Sequence, residues 1–364
     1  MTDADDSTVL CSEPSPDGRR EALVEDDGRV IYMYLWEPEA EGGDMRSCWV
    51  RNRLPAPDEL DANVMRDGSP PLLPAANCRH PRGASPLDPH ALKIVWLPEG
   101  AAAALFEHGE LLAILPAWSG ANGLLGYARD CVGESRVCRE MPEATSPIIE
   151  RIHAAALFWE RWKRGEVWEP LRDRNVNVIE AGLGCVHTKY YAIDGGNWPT
   201  KALLRFDTPD AFVLVTVGVC LRPQPELGLP DDPRDHRRIE LACAIGRGFG
   251  EAAAKTLASY IAAQSALPWS DDTWLGEGHT IPCDAVPVGP SEGHFDAVML
   301  TRSPPGAPSI SIPEFDGDPV NLYWLIPISE AERKLAMDSG SEVLLERLRR
   351  DGVTWVHRDR PEVA

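Results

Sequence analysis

Apolar residues recur with two different periods along the chain and divide it into predicted strands and helices. Nearly continuous apolar, β-branched runs are typical of strands buried on both faces of a sheet. The clearest runs are Ala211–Cys220, Arg238–Ile245, Phe295–Leu300 and Val320–Ile328. Shorter strand-like runs precede them, at Arg29–Leu35, Lys93–Leu97 and Glu110–Leu115. The pattern predicts a central sheet in the C-terminal half and a smaller set of strands before it.

A helix is predicted over residues 147–165. Ser146 suits its N-cap, Pro147 its first turn and Gly165 its end. Its apolar positions at helical spacing form a stripe that we expect to be buried, made of Ile148, Ile152, Ala156, Trp159 and Trp162.

Two further helices accompany the later strands. Glu251–Gln264 alternates small and apolar residues at helical spacing. Another helix begins at Ser329, where Glu332 three residues later completes a capping box. We therefore predict the α+β class: a mixed central β-sheet flanked by helices in a C-terminal domain, with a smaller N-terminal α/β region.

The length of 364 residues exceeds that of most single domains and favours two globular units. Residues 1–27 are polar and acidic, and we interpret them as a disordered leader. Residues 28–145 form the N-terminal region, whose role the sequence does not indicate, with a proline-rich surface excursion at 53–89. Residues 146–364 form the C-terminal domain, including its leading helix.

Acidic residues outnumber basic ones by 57 to 36, a formal charge of −21. Such a charge repels nucleic acid and anionic membranes and accelerates association with basic proteins. It also keeps a protein soluble, and composition does not separate these two roles. We expect a protein partner of basic character, and no nucleic acid or membrane partner. The oligomeric state stays open.

Nine cysteines are scattered along the chain without a C-x-x-C pair, which is typical of neither a disulfide framework nor a zinc ribbon. The acidic N-terminus lacks the apolar core of a signal peptide, and no run is long enough to span a membrane. We therefore expect a cytoplasmic protein without a cofactor or structural metal.

One segment concentrates residues capable of chemistry. His279 lies near Asp271, Asp272 and Glu277, a set that contains the groups needed for metal binding or acid–base catalysis. The neighbouring glycines predict a tight loop, in which a histidine more often bonds to the backbone. The four residues are therefore candidates for partner binding or loop structure, and an enzyme with a His279-centred acidic site is an alternative.

Two other patterns resemble catalytic motifs but fit structural roles better. Gly246–Gly250 reads G-x-G-x-G, which is not the spacing of a dinucleotide loop, and Glu251 follows where a phosphate would bind. Cys185 and His187 have the types of a nucleophile and its base, but a cysteine in an alternating strand is more often a small buried apolar residue.

Tryptophans in the C-terminal half are candidates for interface anchors, since Trp is enriched at the centres of interfaces. Trp198, Trp269, Trp274 and Trp324 are of this kind, although most should lie in the core. Tyr323 and Trp324 are consecutive on a strand and must point to opposite faces. We single out Trp274 and Trp324 as binding candidates.

Several ordered blocks resemble the Suppressor-of-fused domain family. They comprise V-L-V-T-V-G at 213–218 with Arg222-Pro223, R-I-E-L at 238–241, D-T-W-L-G-E-G-H-T-I-P at 272–282, Phe295-Asp296, V-N-L-Y-W-L-I-P-I-S-E-A-E-R at 320–333, and Asp359-Arg-Pro near the end. The resemblance runs from about residue 175 to 363 and is that of a bacterial member. It does not include residues 1–145.

The resemblance implies a binding protein, and the family contributes no catalytic residues to carry over. Animal members restrain transcription factors and hold an extended peptide as an added strand between two lobes. Bacterial members are proposed immunity proteins that neutralise toxins, and an acidic inhibitor suits the basic cleft of a nuclease. We expect a non-catalytic protein that sequesters a partner, with an escort protein in a biosynthetic or secretion pathway as a further alternative.

Overall fold

The structure is a computed structural model that describes residues 7–38, 44–120, 124–225, 234–270, 273–286 and 295–363. These residues form two compact units, one extending to Arg161 and the other beginning at Trp162. The boundary expected at residue 146 therefore falls later, near the end of the helix that was expected to lead the C-terminal domain.

The N-terminal unit begins with an antiparallel sheet of four strands in sequential order. The strands are β1 (Thr8–Pro14), β2 (Glu21–Asp26), β3 (Val30–Glu37) and β4 (Asp44–Asn52). The expected disordered leader is wrong for the first two strands, because every second residue of β2 is buried and the chain pairs with β3. Acidic residues on the outer face make this segment polar overall, so its composition did not indicate the alternation of a strand.

A second sheet of five strands completes the β-structure of this unit. It contains β5 (Leu92–Trp96), β6 (Ala103–Glu107), β7 (Glu110–Leu115), β8 (Tyr127–Ala128) and β9 (Arg139–Glu140). Residues of both sheets share one buried cluster that includes Met33, Trp49 and Leu105. The described part of the unit is thus built mainly from sheets.

The proline-rich excursion at 53–89 contains one short α-helix, α1 (Ala62–Arg66), and a 3-10 turn at Ala75–Asn77. It is nevertheless anchored in the core, since Leu73 is fully buried and Leu87 is 2% exposed. The amide of Asn52 donates to the carbonyl of Leu73 (2.8 Å) and accepts from its N–H (2.9 Å). The excursion is therefore fixed to the unit and does not only run over its surface.

Helix α2 (Pro147–Lys163) forms where it is predicted, and the Ser146 hydroxyl accepts from the Ile149 N–H at 3.4 Å. Its buried residues are Ile148, Ile149, Ile152, Ala155 and Phe158. The predicted stripe is thus correct for Ile148 and Ile152 and lies one residue earlier afterwards, at Ala155 and Phe158. The helix packs on residues of β5, β6 and β7, and the indole N–H of the partly buried Trp159 donates to the Trp96 carbonyl.

The C-terminal unit contains an eight-stranded mixed sheet with helices, which confirms the predicted α+β class. Its elements are α3 (Trp168–Leu183), β10 (Lys189–Ala192), β11 (Ala202–Asp207), β12 (Ala211–Val217), β13 (Arg238–Gly246), α4 (Gly250–Gln264), β14 (Thr280–Pro282), β15 (Ala297–Thr301), β16 (Val320–Ile328), α5 (Glu330–Ser339), α6 (Ser341–Arg350) and β17 (Val356–His357).

Strand order in this sheet is β10-β11-β12-β13-β16-β15-β14, and β17 also pairs with β13. The neighbours β12 and β13 are antiparallel, whereas β13 pairs in parallel with both β16 and β17. Every residue of β12 and β13 is buried, as their continuous apolar composition predicts. The best predicted strands are therefore the central ones.

A carboxylate lies inside this sheet. Glu240 on β13 is fully buried and accepts hydrogen bonds from the Thr216 hydroxyl (2.6 Å) and the backbone N–H groups of Gly218 (2.8 Å) and Cys220 (3.2 Å). Burial raises the pKa of Glu240, while these donors act in the opposite direction. The contacts hold the turn that follows β12 against β13.

The end of the chain is held by a second buried carboxylate. Glu332 completes the capping box of α5, because it accepts from the Ser329 N–H while the Ser329 hydroxyl accepts from the Glu332 N–H. The Glu332 carboxylate also binds the Arg360 guanidinium at 2.6 and 2.9 Å and the Val363 N–H at 2.8 Å. One side chain thus joins the start of α5 to the C-terminal segment.

Replacement of Glu332 by Gln should destabilise the C-terminal unit by about 3 kcal/mol, since it leaves the buried Arg360 cation without its counter-charge. Urea unfolding followed by circular dichroism measures this change. The matched control is Glu330→Gln in the same turn, whose exposed pair with Arg333 should contribute less than about 0.5 kcal/mol. Equal effects of the two substitutions would contradict a stabilising role for the Glu332–Arg360 pair.

Candidate functional site

Three of the six sequence candidates, Trp274, Glu277 and His279, lie in the segment that follows α4 and ends with β14, which we call the 273–282 loop. Gln224 holds it in place, because this buried side chain accepts from the Leu275 N–H (2.7 Å) and donates to the Leu275 carbonyl (3.0 Å). The same amide nitrogen donates to the His236 carbonyl at 2.9 Å. The side-chain amide of Gln224 thus takes the place of a β-ladder partner for the loop backbone.

Trp274 and His279 contact each other across the 273–282 loop. The Nδ1 atom of His279 lies 2.9 Å from the Trp274 carbonyl oxygen, and the two ring centroids are 4.5 Å apart. The ring of His236, which sequence reasoning missed, lies 5.7 Å from the Trp274 ring. Nothing in the sequence near position 236 signals this, since the two segments are far apart along the chain.

Two glycines make this arrangement possible. A Cβ atom at Gly276 would lie 2.3 Å from the Trp274 ring, and one at Gly278 would lie 2.2 Å from the Ser341 hydroxyl. Gly278 also has a φ of +78°, which disfavours any other residue there. The glycines of this block therefore serve close packing, as the sequence predicted for a tight loop.

The carboxylate of Glu277 is bound elsewhere, because it accepts from the backbone N–H of Arg302 at 2.9 Å. Asp271 and Asp272 lie outside the described residues. Within the described ranges, no group of three or more His, Cys, Asp or Glu side chains is arranged to hold a metal ion. The contacts seen at His279 are those of a residue that stabilises a loop, and its functional role stays a prediction.

A shallow groove of about 390 Å³ opens beside Trp274 and His279. Its apolar wall is completed by residues before, within and beyond the loop, namely Leu267, Ile281, Pro282, Ala336 and Met337. Met337 is 69% exposed and Trp274 is partly buried. The loop therefore presents an apolar surface next to its aromatic pair.

Trp324 is not an exposed anchor. It is 2% exposed and packs edge-on against Trp355, with ring centroids 4.9 Å apart. Tyr323 points to the opposite face, as alternation requires, and is 1% exposed within the cluster that includes Leu257 of α4. Both consecutive aromatic residues are thus core residues, because both faces of β16 are covered.

Strand β10 forms an edge of the large sheet that the sequence did not identify as a site. It pairs with β11 on one side, and no described strand pairs with its other side. All four of its residues are exposed, including Tyr190 (42%) and Tyr191 (37%). Short length and polar flanks made this strand inconspicuous, although its aromatic pair is a usable sequence signal.

A groove of about 590 Å³ runs between this edge and α4, and we call it the edge groove. Its lining is mainly apolar and includes Tyr191, Ile193, Leu203, Ala258 and Ala262. Lys189 and Lys255 lie at its rim. The dimensions suit side chains that project from an extended segment lying along β10.

A buried cation fixes one end of the edge groove. Arg205 of β11 is 2% exposed and forms a bidentate pair with Glu251 at 2.5 and 2.7 Å. This hydrogen bonding lowers the pKa of the Glu251 carboxyl. Glu251, whose charge argued against a phosphate site at the glycine loop, thus joins α4 to β11.

Cys185 and His187 have the types of a nucleophile and its base, but the histidine has a different partner. The Nδ1 atom of His187 lies 2.7 Å from a carboxylate oxygen of Glu180 on α3.

Residues 198–360 match the family model described as Suppressor of fused protein (SUFU). The resemblance expected over residues 175–363 is confirmed for this part. The match contains β11 to α6, the 273–282 loop and Arg360, and it begins after β10. No curated protein matches the chain. Among the described helices, none has the length and apolar character needed to cross a bilayer.

Substitution of Gly276 by Ala should displace the Trp274 ring and lower stability by about 1–3 kcal/mol, because the added methyl group has no room. The ¹⁹F NMR spectrum of protein labelled with fluorotryptophan would show the shift of the Trp274 resonance, assigned with Trp274→Phe. Gly248→Ala is the matched control, since a Cβ atom there meets nothing within 4 Å. An unmoved Trp274 resonance would contradict the close packing of this loop.

Proposed function

We propose that this chain is a non-catalytic binding protein that sequesters a partner protein through the edge groove. The observation that carries the proposal is the open side of β10 beside that groove, in a chain whose following segment matches the model of a family of binding domains. The partner contributes an extended segment that pairs with β10.

Strand addition suits this edge for two physical reasons. An exposed edge presents N–H and C=O groups whose pairing with another chain supplies affinity without sequence preference. Alternate side chains of the added strand then point into the edge groove, whose apolar lining supplies selectivity. Exposed Tyr190 and Tyr191 add aromatic surface, which is enriched at the centres of interfaces.

The net charge supports a basic partner. With a net charge of −21, the protein attracts a cationic surface over a distance set by the ionic strength. This attraction accelerates the encounter between the protein and a basic partner. A nuclease toxin has such a surface because it binds polyphosphate. We propose an immunity protein that covers a basic toxin as the specific form of this function.

Substitution of Ala258 by Glu should abolish partner binding, because it places a charge and about four extra heavy atoms in the edge groove. Thr256→Glu on the same helix adds the same charge at an exposed position outside the groove lining and should bind as the wild type does. Affinity capture with the three proteins, followed by calorimetry with the purified partner, measures the difference. We expect at least a tenfold weaker association for Ala258→Glu, about 1.4 kcal/mol or more.

Salt dependence separates the two parts of this proposal. A basic partner should associate more slowly as ionic strength rises, with little change in dissociation rate. A partner that binds both Glu variants equally would exclude the edge groove, and a salt-independent rate would exclude electrostatic attraction. Turnover of a substrate that is lost in His279→Ala with an intact fold would favour an enzyme instead.

A further inference from the structure

Alternation along β10 determines which of its side chains face the edge groove. Lys189, Tyr191 and Ile193, the last just beyond the strand, line the groove together with Leu203 and Arg205 of β11. Lys189 is directly opposite Arg205, and Tyr191 is opposite Leu203. Along β10, the groove face therefore changes from a cation through an aromatic ring to an aliphatic side chain.

Helix α4 provides the opposite wall of the groove and shows the same change. Glu251 in its first turn forms the bidentate pair with Arg205, and Lys255 follows one turn later on the same face. The residues of this face further along the helix are small and apolar, namely Ala258 and Ala262. Both walls are thus charged where Glu251 meets β11 and apolar beyond that point.

Most of the charged side chains at this groove neutralise one another. Arg205 is held by Glu251 and also, at 2.7 Å, by Asp207, and the ammonium of Lys189 lies 4.0 Å from the same Glu251 carboxylate. Lys255 differs from them, because its ammonium has no hydrogen-bond acceptor or ion-pair partner among the residues that the structure describes. The groove therefore has one positive charge without a counter-charge, in a chain whose net charge is −21.

Strand addition changes the surroundings of Lys255. In the free protein its exposed ammonium binds water, as most surface lysines do. A segment that lies along β10 displaces part of this water from the groove, and an ammonium that loses water without gaining an acceptor is destabilised. A carboxylate on the incoming segment provides that acceptor, whereas an amide gives a weaker bond and a second cation gives repulsion.

We propose that the edge groove selects an extended segment in which an acidic residue alternates with apolar residues, a selectivity that rests on the proposed addition of a strand to β10. Residues directly opposite each other in a sheet point to the same face. The acidic residue therefore lies opposite Lys189, on the side of Lys255, and the apolar residues lie opposite Tyr191 and Ile193. The residues between them point away from the groove and are free to vary.

Local and overall charge act in opposite directions at this groove. The net charge of −21 attracts a basic protein as a whole, because the summed field extends over about 10 Å at ordinary ionic strength. The preference for an acidic residue depends instead on direct contact with one ammonium. A basic partner with an acidic and apolar docking segment satisfies both, and the opposition makes the local preference measurable with short peptides.

Labelled synthetic peptides of about seven residues test the selectivity by fluorescence anisotropy. The first reads T-V-T-V-T-E-T, the order for antiparallel addition, and two others have Gln or Lys in place of Glu. We expect the Glu peptide to bind at least about threefold more tightly than the Gln peptide and about tenfold more tightly than the Lys peptide. Attraction by the net charge alone gives the reverse order. The same preference in the reversed series T-E-T-V-T-V-T would support the proposal with parallel addition.

Charge reversal in the protein identifies the residue responsible. Lys255→Glu should make the Lys peptide the tightest binder of the three, since the repulsive and attractive pairs are exchanged. Lys334→Glu on α5 is the matched control, because it alters the net charge equally at an exposed lysine outside the groove lining. This control should keep the order of affinities of the wild type.

The outcomes separate this selectivity from strand addition itself. Equal affinities of the three peptides, all abolished by Ala258→Glu, would overturn the acidic selectivity and leave strand addition at the edge groove intact. Affinities that Ala258→Glu does not change would overturn both. A preference for the Lys peptide, or binding of none of the peptides, would overturn the selectivity, and strand addition would then depend on the capture experiment with the natural partner.

Discussion

The buried carboxylate of Glu240 is the constraint on which the C-terminal unit depends. An ionisable group in the middle strand of a sheet is tolerated only when donors surround it, and here these come from the Thr216 hydroxyl and the turn after β12. The turn is thereby fixed in position. Arg222 and Gln224 follow it directly, so the carboxylate determines where both side chains begin.

These two side chains connect the centre of the sheet to segments further along the chain. Gln224 holds the 273–282 loop, and the guanidinium of Arg222 lies over the Trp269 ring, 5.3 Å from its centroid. The loop and Trp269 therefore share one rigid support. The edge groove lies apart from this support, since its walls come from β10, β11 and α4. A change in the loop should thus leave the groove geometry intact.

Continuous apolar runs made the central strands predictable from sequence, because residues buried on both faces leave no polar gaps. The same criterion missed β2, whose buried residues Ala22 and Val24 alternate with Glu21 and Glu25 and are followed by a buried Asp26, so that the strand resembles a polar segment. It also missed β10, in which no residue is buried. Edge strands are specified by their neighbours more than by their own composition.

Candidate chemistry was harder to predict than the fold, since it depends on contacts between distant segments. The glycines around Glu277 correctly indicated a tight loop, but the role of Arg302 as the partner of Glu277 required the structure. Lys255 gave no signal, because a lysine on an exposed helix face is ordinary. Its position at the edge groove follows from the packing of α4 beside β10 and β11, which come earlier in the chain.

The attachment of the C-terminal segment to the start of α5 has a consequence for synthesis of the chain. Strand β17 completes its pairing with β13, and Arg360 and Val363 complete the polar contacts of Glu332. A ribosome delivers these residues after every other element of the sheet. Until residues 356–363 have been synthesised, the end of β13 at Ala244 and Ile245 lacks its β17 partner and the Glu332 carboxylate lacks its Arg360 counter-charge, so this corner of the sheet is open to pairing with other chains for longer than the rest.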